Sequence, residues 1–209
     1  PMGVDLSEQF AGSQDIVRLP HRIVSVGRLV EKKGVRYLIE ALKIVRQTLP
    51  EATLDIVGGG PLRDELERQV ADLDLRTAVH FRGSVEQKQI PSFLHAAAVA
   101  VVPSVVAGSG DQEGLGLVTI EAMGCGCPVV ASDLPAIHDV VEHGVTGLLA
   151  APEDPADLAE KLSLLLVQPE LSAKLASNAR TFVTERFDWS AVADDYANHL
   201  RQLVTRRPA

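Results

Sequence analysis

Aromatic side chains are scarce in this chain of 209 residues, at 4%. A core must therefore be assembled from Val, Leu, Ile and Ala, as helix-covered parallel sheets require. Cysteine is almost missing too. Cys125 and Cys127 flank a single glycine, and the six His are scattered. That spacing makes a poor disulfide and no zinc site; the pair reads as small buried thiols packing a helix end. No apolar run reaches the roughly 18 residues that span a bilayer, and no signal peptide is visible. A reduced, cytoplasmic setting is the expectation. Positive charge is in deficit, with a net charge of −8. That argues against general affinity for nucleic acid or anionic membrane, while leaving room for a small anion at a local basic cluster. There is no internal repeat and no conspicuous Asp-x-Asp pair. The G-x-G-x-x-G fingerprint is absent: after Gly58-Gly59-Gly60 come Pro61-Leu62-Arg63, which removes a dehydrogenase reading.

What is present is alternation. With 46% apolar residues, the length suits one large domain or two small ones. Short apolar runs at 22–27, 52–58, 78–83, 98–104, 127–132 and 146–150 predict strands. Between them, Val35, Leu38, Ile39, Leu42, Val45 and Leu49 recur at helical spacing. Pro61 suits the first turn of a helix carrying Leu62, Leu66 and Val70. A helix over "QKQIPSFLHAA" contains Pro91 as a local irregularity, and another covers roughly 117–124. Asp154 is an N-cap with Pro155 behind it, and Leu158, Leu162, Leu165 and Leu166 form a buried stripe. A helix follows Pro169, and a last one begins near Trp189 with Val192, Tyr196, Leu200 and Leu203 on one side. The fold class is therefore α/β: a doubly wound, Rossmann-like parallel sheet of about six strands, helices on both faces, and C-terminal helices. Ligands of such sheets bind beyond the carboxyl ends of the strands.

The loops at those ends carry the chemistry. "GRLVEKKG" (27–34) sets Arg28 and Lys33 before a helix start. Two cations with helix amides suit a phosphate, although a solvated basic loop would have the same composition. "GGGP" (58–61) lets backbone approach a ligand closely, but a plain strand-end turn looks the same. The glycine-rich "VVAGSGDQ" (105–112) reads as a mobile loop. It leads into "EGLGLVTIEAMG" (113–124), with Glu113 before a helix and Glu121 about one turn inside it. Gly114 and Gly116 free backbone amides at that helix start. A carboxylate amid apolar residues is costly unless donors pair with it, and a ribose diol supplies two. A surface position for Glu121, or a solvated helix face or N-cap for the pair, is the plainer alternative.

The motifs "PMGVDLSEQF", "VGRLVEKKG", "VGGGPLRDEL", "VHFRGSV", "VVPS", "EGLGLVTIEAMGCGCPVVASD" and "HGVTGLL" follow one another across roughly residues 1–150, and "RFDWSAV" comes later. In this order they resemble the C-terminal, donor-binding half of the retaining GT-B glycosyltransferases of group 1, or family 4. That family includes glycogen-synthase-like, sucrose-synthase-like and bacterial mannosyltransferase enzymes. The resemblance implies a UDP- or GDP-sugar as donor substrate, a hexosyl transfer with retention, and no enzyme metal or separate cofactor. It implies that Arg28 and Lys33 neutralise the leaving diphosphate and that Glu113 binds hydroxyls of the transferred sugar. Glu121 would hold the ribose, with the amides of Gly116, Leu117 and Val118 serving the sugar and its neighbours. Arg82 and Gly83 would lie beside the base, and Gly59 and Gly60 would face the nucleotide side of the cleft.

Two departures stand out. Met2 occupies a position where the family often has Asn, and 105–112 is an apparent insertion before the first glutamate. The chain opens on Pro1 and a linker-like "PMGVD", so an N-terminal acceptor-binding domain is expected to be missing. Any membrane contact would fall to that domain, and the isolated chain is expected to be inactive. The expected division is 1–20 as linker and domain start, 21–188 as donor-binding domain and 189–209 as C-terminal helix. A nucleotide-sugar epimerase of the same design and a non-catalytic nucleotide-sugar-binding module are the alternatives.

Overall fold

The structure, a computed structural model, describes residues 2–12 and 17–205, with side chains as far as Gln202. Six parallel strands form one sheet in the order β3-β2-β1-β4-β5-β6. They are β1 (Arg22–Val26), β2 (Thr53–Val57), β3 (Val79–Gly83), β4 (Val99–Val102), β5 (Val129–Ser132) and β6 (Leu148–Ala150). The helices are α1 (Val35–Val45), α2 (Arg63–Asp72), α3 (Ile90–Ala96), α4 (Leu117–Gly124), α5 (Pro155–Val167), α6 (Pro169–Phe187) and α7 (Trp189–Thr205). The expected doubly wound architecture is present.

Side chains alternate across the sheet, so each strand feeds two cores. Ile23, Leu54, Ile56, Val99, Val101 and Val130 face α1, α2 and α5. Val24, Val57, Ala100, Val102, Val129 and Ala131 face α3, α4 and α6. The second core also takes in Leu6, Phe10, Cys125 and Cys127. Burial pushes the Cys125 thiol up to about 12 and Cys127 to about 11, so both are inert packing groups, as expected. The segment before β1 is thus partly core: Gly124 has no room for a Cβ, which would lie 2.4 Å from a Leu6 methyl.

Several boundaries differ from the sequence reading. β1, β2 and β4 end earlier, just before Gly27, Gly58 and Pro103; the Gly27 and Gly58 amides still bond to the neighbouring strand, whereas Pro103 has no amide to offer. Pro61 lies in a turn before α2, because the Leu62 amide bonds to Leu29 O at 3.1 Å. The segment with Pro91 divides into a 3-10 turn, Gln87–Gln89, and α3, where Pro91 stands near the start and its missing amide costs nothing. The stripe expected on α7 is buried only at Val192; Tyr196 and Leu200 are 59% and 49% exposed. Leu203 lies outside the described side chains.

One backbone position ties the fold to its carboxyl edge. Gly34 ends a 3-10 turn, Glu31–Lys33, at φ 60°, and a Cβ there would lie 1.8 Å from Pro103 O. Gly34→Ala must therefore part the loop after β1 from the loop after β4. It should cost on the order of 2–4 kcal/mol, read as a lowered urea midpoint with an unchanged slope.

Candidate functional site

Strand order reverses between β1 and β4, which opens a crevice beyond their carboxyl ends. Gly27, Gly58 and Gly83 crown β1, β2 and β3, linked by Gly27 N to Val57 O (2.9 Å) and Gly58 N to Gly83 O (2.8 Å). These glycines add no side chains of their own to the crest, and all three are half-buried.

The loop after β1 leaves Arg28 exposed, with no ion pair or hydrogen bond among the described residues. Lys33 turns back instead. Its stem passes Gly27, whose added Cβ would meet Lys33 Cε at 3.5 Å, and its Nζ pairs with the Glu113 carboxylate. The loops after β1 and β4 are thereby joined through two of the residues singled out in the sequence. Lys33 and Glu113 are both mostly buried, at 21% and 14% side-chain exposure.

Beyond Glu113, Gly116 adopts a left-handed conformation (φ 66°) and caps α4 without a side-chain hydrogen bond. A Cβ at Gly116 would lie 3.0 Å from Ile137 and 3.2 Å from Thr119 Oγ1. The amides of Leu117 and Val118 follow at the positive end of α4. Glu121 is only 7% exposed. It accepts no described hydrogen bond, and burial raises its pKa from 4.5 to about 7. A surface position for Glu121 is thus set aside.

Other expected residues are placed differently. Arg82 donates from Nε to Asp55 Oδ1 at 2.6 Å, and Asp55, 2% exposed, also pairs with Arg22. The guanidinium is engaged on the sheet face, leaving Gly83 at the crest. Gly59 and Gly60 press against the loop after β1: Leu29 N bonds to Gly59 O (3.0 Å), and a Cβ on Gly60 would meet Leu29 O at 2.5 Å. Close packing of two loops already accounts for Gly60. In the segment 105–112, Val106 and residues 108–112 are exposed. Val105 and Ala107 are buried, and Ala107 N bonds to Asp111 O at 2.8 Å.

Sequence reasoning missed Arg63, Ser104 and Thr119. Arg63 stacks over Phe81 at 5.4 Å and would contact a Cβ on Gly83 at 3.8 Å, which puts a cation beside the crest. Ser104 and Thr119 have fully buried hydroxyls with no described partner. Their sequence neighbours, Pro103 and Gly116, were the available signal. A larger groove of about 960 Å³ lies at the opposite, amino-terminal edge of the sheet, among Arg18, His21, Pro128 and Arg180. None of the residues above lines it.

Residues 9–182 match the family of glycosyl transferases group 1. The chain belongs to the group 1 glycosyltransferases. It is 37% identical over 204 residues to the amylovoran biosynthesis glycosyltransferase AmsK of Erwinia amylovora, covering 97% of this chain and 50% of that protein. It is 32% identical over 180 residues to a GDP-mannose-dependent phosphatidylinositol monomannoside mannosyltransferase of Mycobacterium tuberculosis, covering 86% and 47%. The crystal structure of Anabaena HepE in complex with UDP and glucose superposes with a TM-score of 0.82 at 29% identity, covering 95% of this chain and 55% of that one. The chain spans about half the length of the curated relatives it matches. Its fold fits the C-terminal domain of a GT-B member of the group.

The buried Glu121 has a consequence for stability. Its folded-state pKa, about 7, lies above the unfolded value of 4.5. The folded chain holds the extra proton between those values, so stability falls as pH rises through that window. Glu121→Gln should change little at pH 5 and stabilise the chain at pH 8 by about 1–3 kcal/mol. Urea unfolding at both pH values checks this; equal effects at pH 5 and 8 would contradict it.

Proposed function

We propose that this chain binds the donor of a retaining glycosyltransferase, gripping a UDP- or GDP-sugar beyond the carboxyl ends of β1 and β4. A second domain would bring the acceptor. The observation that carries this reading is Glu121: a carboxylate only 7% exposed in the first turns of α4, to which no described residue donates a hydrogen bond. A vicinal diol, as in ribose, offers two hydroxyl donors to such a group and makes its burial tolerable. Arg28 and Lys33 border the same crevice and suit a diphosphate, Arg28 because it is exposed with no partner among the described residues and Lys33 because it can exchange Glu113 for phosphate.

In this reading the leaving diphosphate is stabilised by fixed positive charge. Arg28, Lys33 and the amides of Gly116, Leu117 and Val118 surround the oxygens on which charge develops as the glycosidic bond breaks. Glu113, released by Lys33, accepts hydrogen bonds from hydroxyls of the departing sugar. Gly83 and Arg63 border the base, with Arg82 acting through Asp55 on the sheet beneath. Retention, hexosyl transfer and inactivity of the isolated chain are parts of the same proposal.

Calorimetry of this chain with UDP, GDP, UDP-glucose and GDP-mannose tests it. Glu121→Gln should weaken nucleoside diphosphate and nucleotide sugar alike, by about 1–3 kcal/mol. Glu113→Gln should cost a similar amount for the nucleotide sugar alone. Equal damage by both variants to the nucleoside diphosphate would refute this division. Arg28→Ala should lower affinity for UDP roughly 10- to 150-fold while barely changing uridine binding. Comparable losses for both ligands would remove Arg28 from the diphosphate.

A further inference from the structure

The segment before Glu113 is fastened to the turn that carries Lys33, residue against residue. Glu31 Oε1 accepts from the Gly108 amide at 2.9 Å. Lys32 Nζ pairs with Asp111 Oδ1 at 3.0 Å. Lys33 pairs with Glu113. Backbone joins the same two segments: Val105 N bonds to Lys32 O at 2.9 Å. The tip between these anchors is a tight turn, with Gly110 at φ 83° donating to Ala107 O at 2.7 Å. On the helix side the Glu113 stem lies near Gly116, whose added Cβ would be 3.8 Å from Glu113 Cγ, while Gly114 has nothing within 4 Å of an added Cβ.

We propose that Glu31 and Lys32 are positioning residues, which hold Glu113 at the sugar end of the donor by gripping Gly108 and Asp111. The inference rests on the donor-binding reading above. Its logic is an exchange of partners. When a diphosphate reaches Lys33, the Lys33–Glu113 pair opens and the cation turns to phosphate. Glu113 then loses the contact that placed it. The Glu31 and Lys32 anchors do not touch the diphosphate and remain closed, so the carboxylate stays beside the sugar hydroxyls. Without them, ordering residues 105–113 would have to be offset by the sugar's own contacts. The anchors therefore matter for the nucleotide sugar and hardly at all for the nucleoside diphosphate.

A charge-swap cycle on this chain tests the proposal, with UDP and UDP-glucose, and GDP and GDP-mannose, as probes. Lys32→Glu and Asp111→Lys should each weaken nucleotide-sugar binding about two- to fivefold, the scale of an exposed ion pair. Nucleoside diphosphate binding should change less than twofold. The double variant, with the charges exchanged, should return to within about twofold of the parent. Glu31→Ala should act in the same direction as the single swaps, and 0.5 M salt should shrink the effect of Lys32→Glu. Equal losses for nucleotide sugar and nucleoside diphosphate would overturn the proposal, as would a double variant no better than the singles. A parent chain that binds neither UDP nor GDP overturns the donor-binding reading itself and this proposal with it. A parent that binds them, with no coupling in the cycle, overturns only the anchoring role.

Discussion

The pairing of β1 with β4, through Ile23 with Val99 and Val24 with Ala100, is the constraint on which the carboxyl edge depends. From β1 the chain passes to α1 on one face of the sheet; from β4 it reaches α4 on the other. The two connections diverge, and neither covers the strand ends between them. Their opposing loops can then meet across the gap, as Gly34 does with Pro103 and Lys33 with Glu113. The short fourth strand contributes to this: Pro103 ends its ladder and turns the chain back toward the loop after β1.

The charged groups in that gap are unevenly served by the fold. Glu121 is buried without a donor, which opposes folding at neutral pH. Arg28 is exposed, with no partner among the described residues. Lys33 and Glu113 neutralise each other, the opposite of what a bound anion and a bound sugar would ask of them. Elsewhere polar groups are well served. Arg18 donates to the carbonyls of Leu94, His95, Ala97, Cys125 and Gly126 at 2.6–3.1 Å. Asp188 accepts from the Leu6 and Ser190 amides and caps α7. Ser104 and Thr119 add two buried hydroxyls with no described partner near this gap, while His21 Nδ1 is a third such atom at the opposite edge of the sheet.

The strands and most helices were legible because their apolar residues repeat at the period each element imposes, and a sheet covered on both faces admits no other reading of all-apolar runs. Glu113, Lys33 and Glu121 stood out in the sequence as charged residues in or next to glycine-containing loops and the helix that follows, but their local pattern did not show that Lys33 pairs with Glu113 or that Glu121 is buried. Arg82 and Gly60 were less so. A basic residue after a strand and a glycine in a turn suit ligand contact and internal packing equally. Only Asp55, 33 positions from Arg22 and 27 from Arg82 yet adjacent to both in space, and the backbone of Leu29 distinguish the two uses.

The sequence by itself determined the element order, the apolar faces and which residue types stand at the strand ends, because these follow from local periodicity and turn chemistry. Tertiary structure alone decided which of those residues meet. Lys33 and Glu113 are 80 positions apart, and their contact depends on strand order and on two loops packing without side chains between them. The burial of Glu121 and the anchoring of 105–113 by Glu31 and Lys32 have the same origin. Distances between groups far apart in the chain are set by the packing of the whole sheet, and no local pattern encodes them.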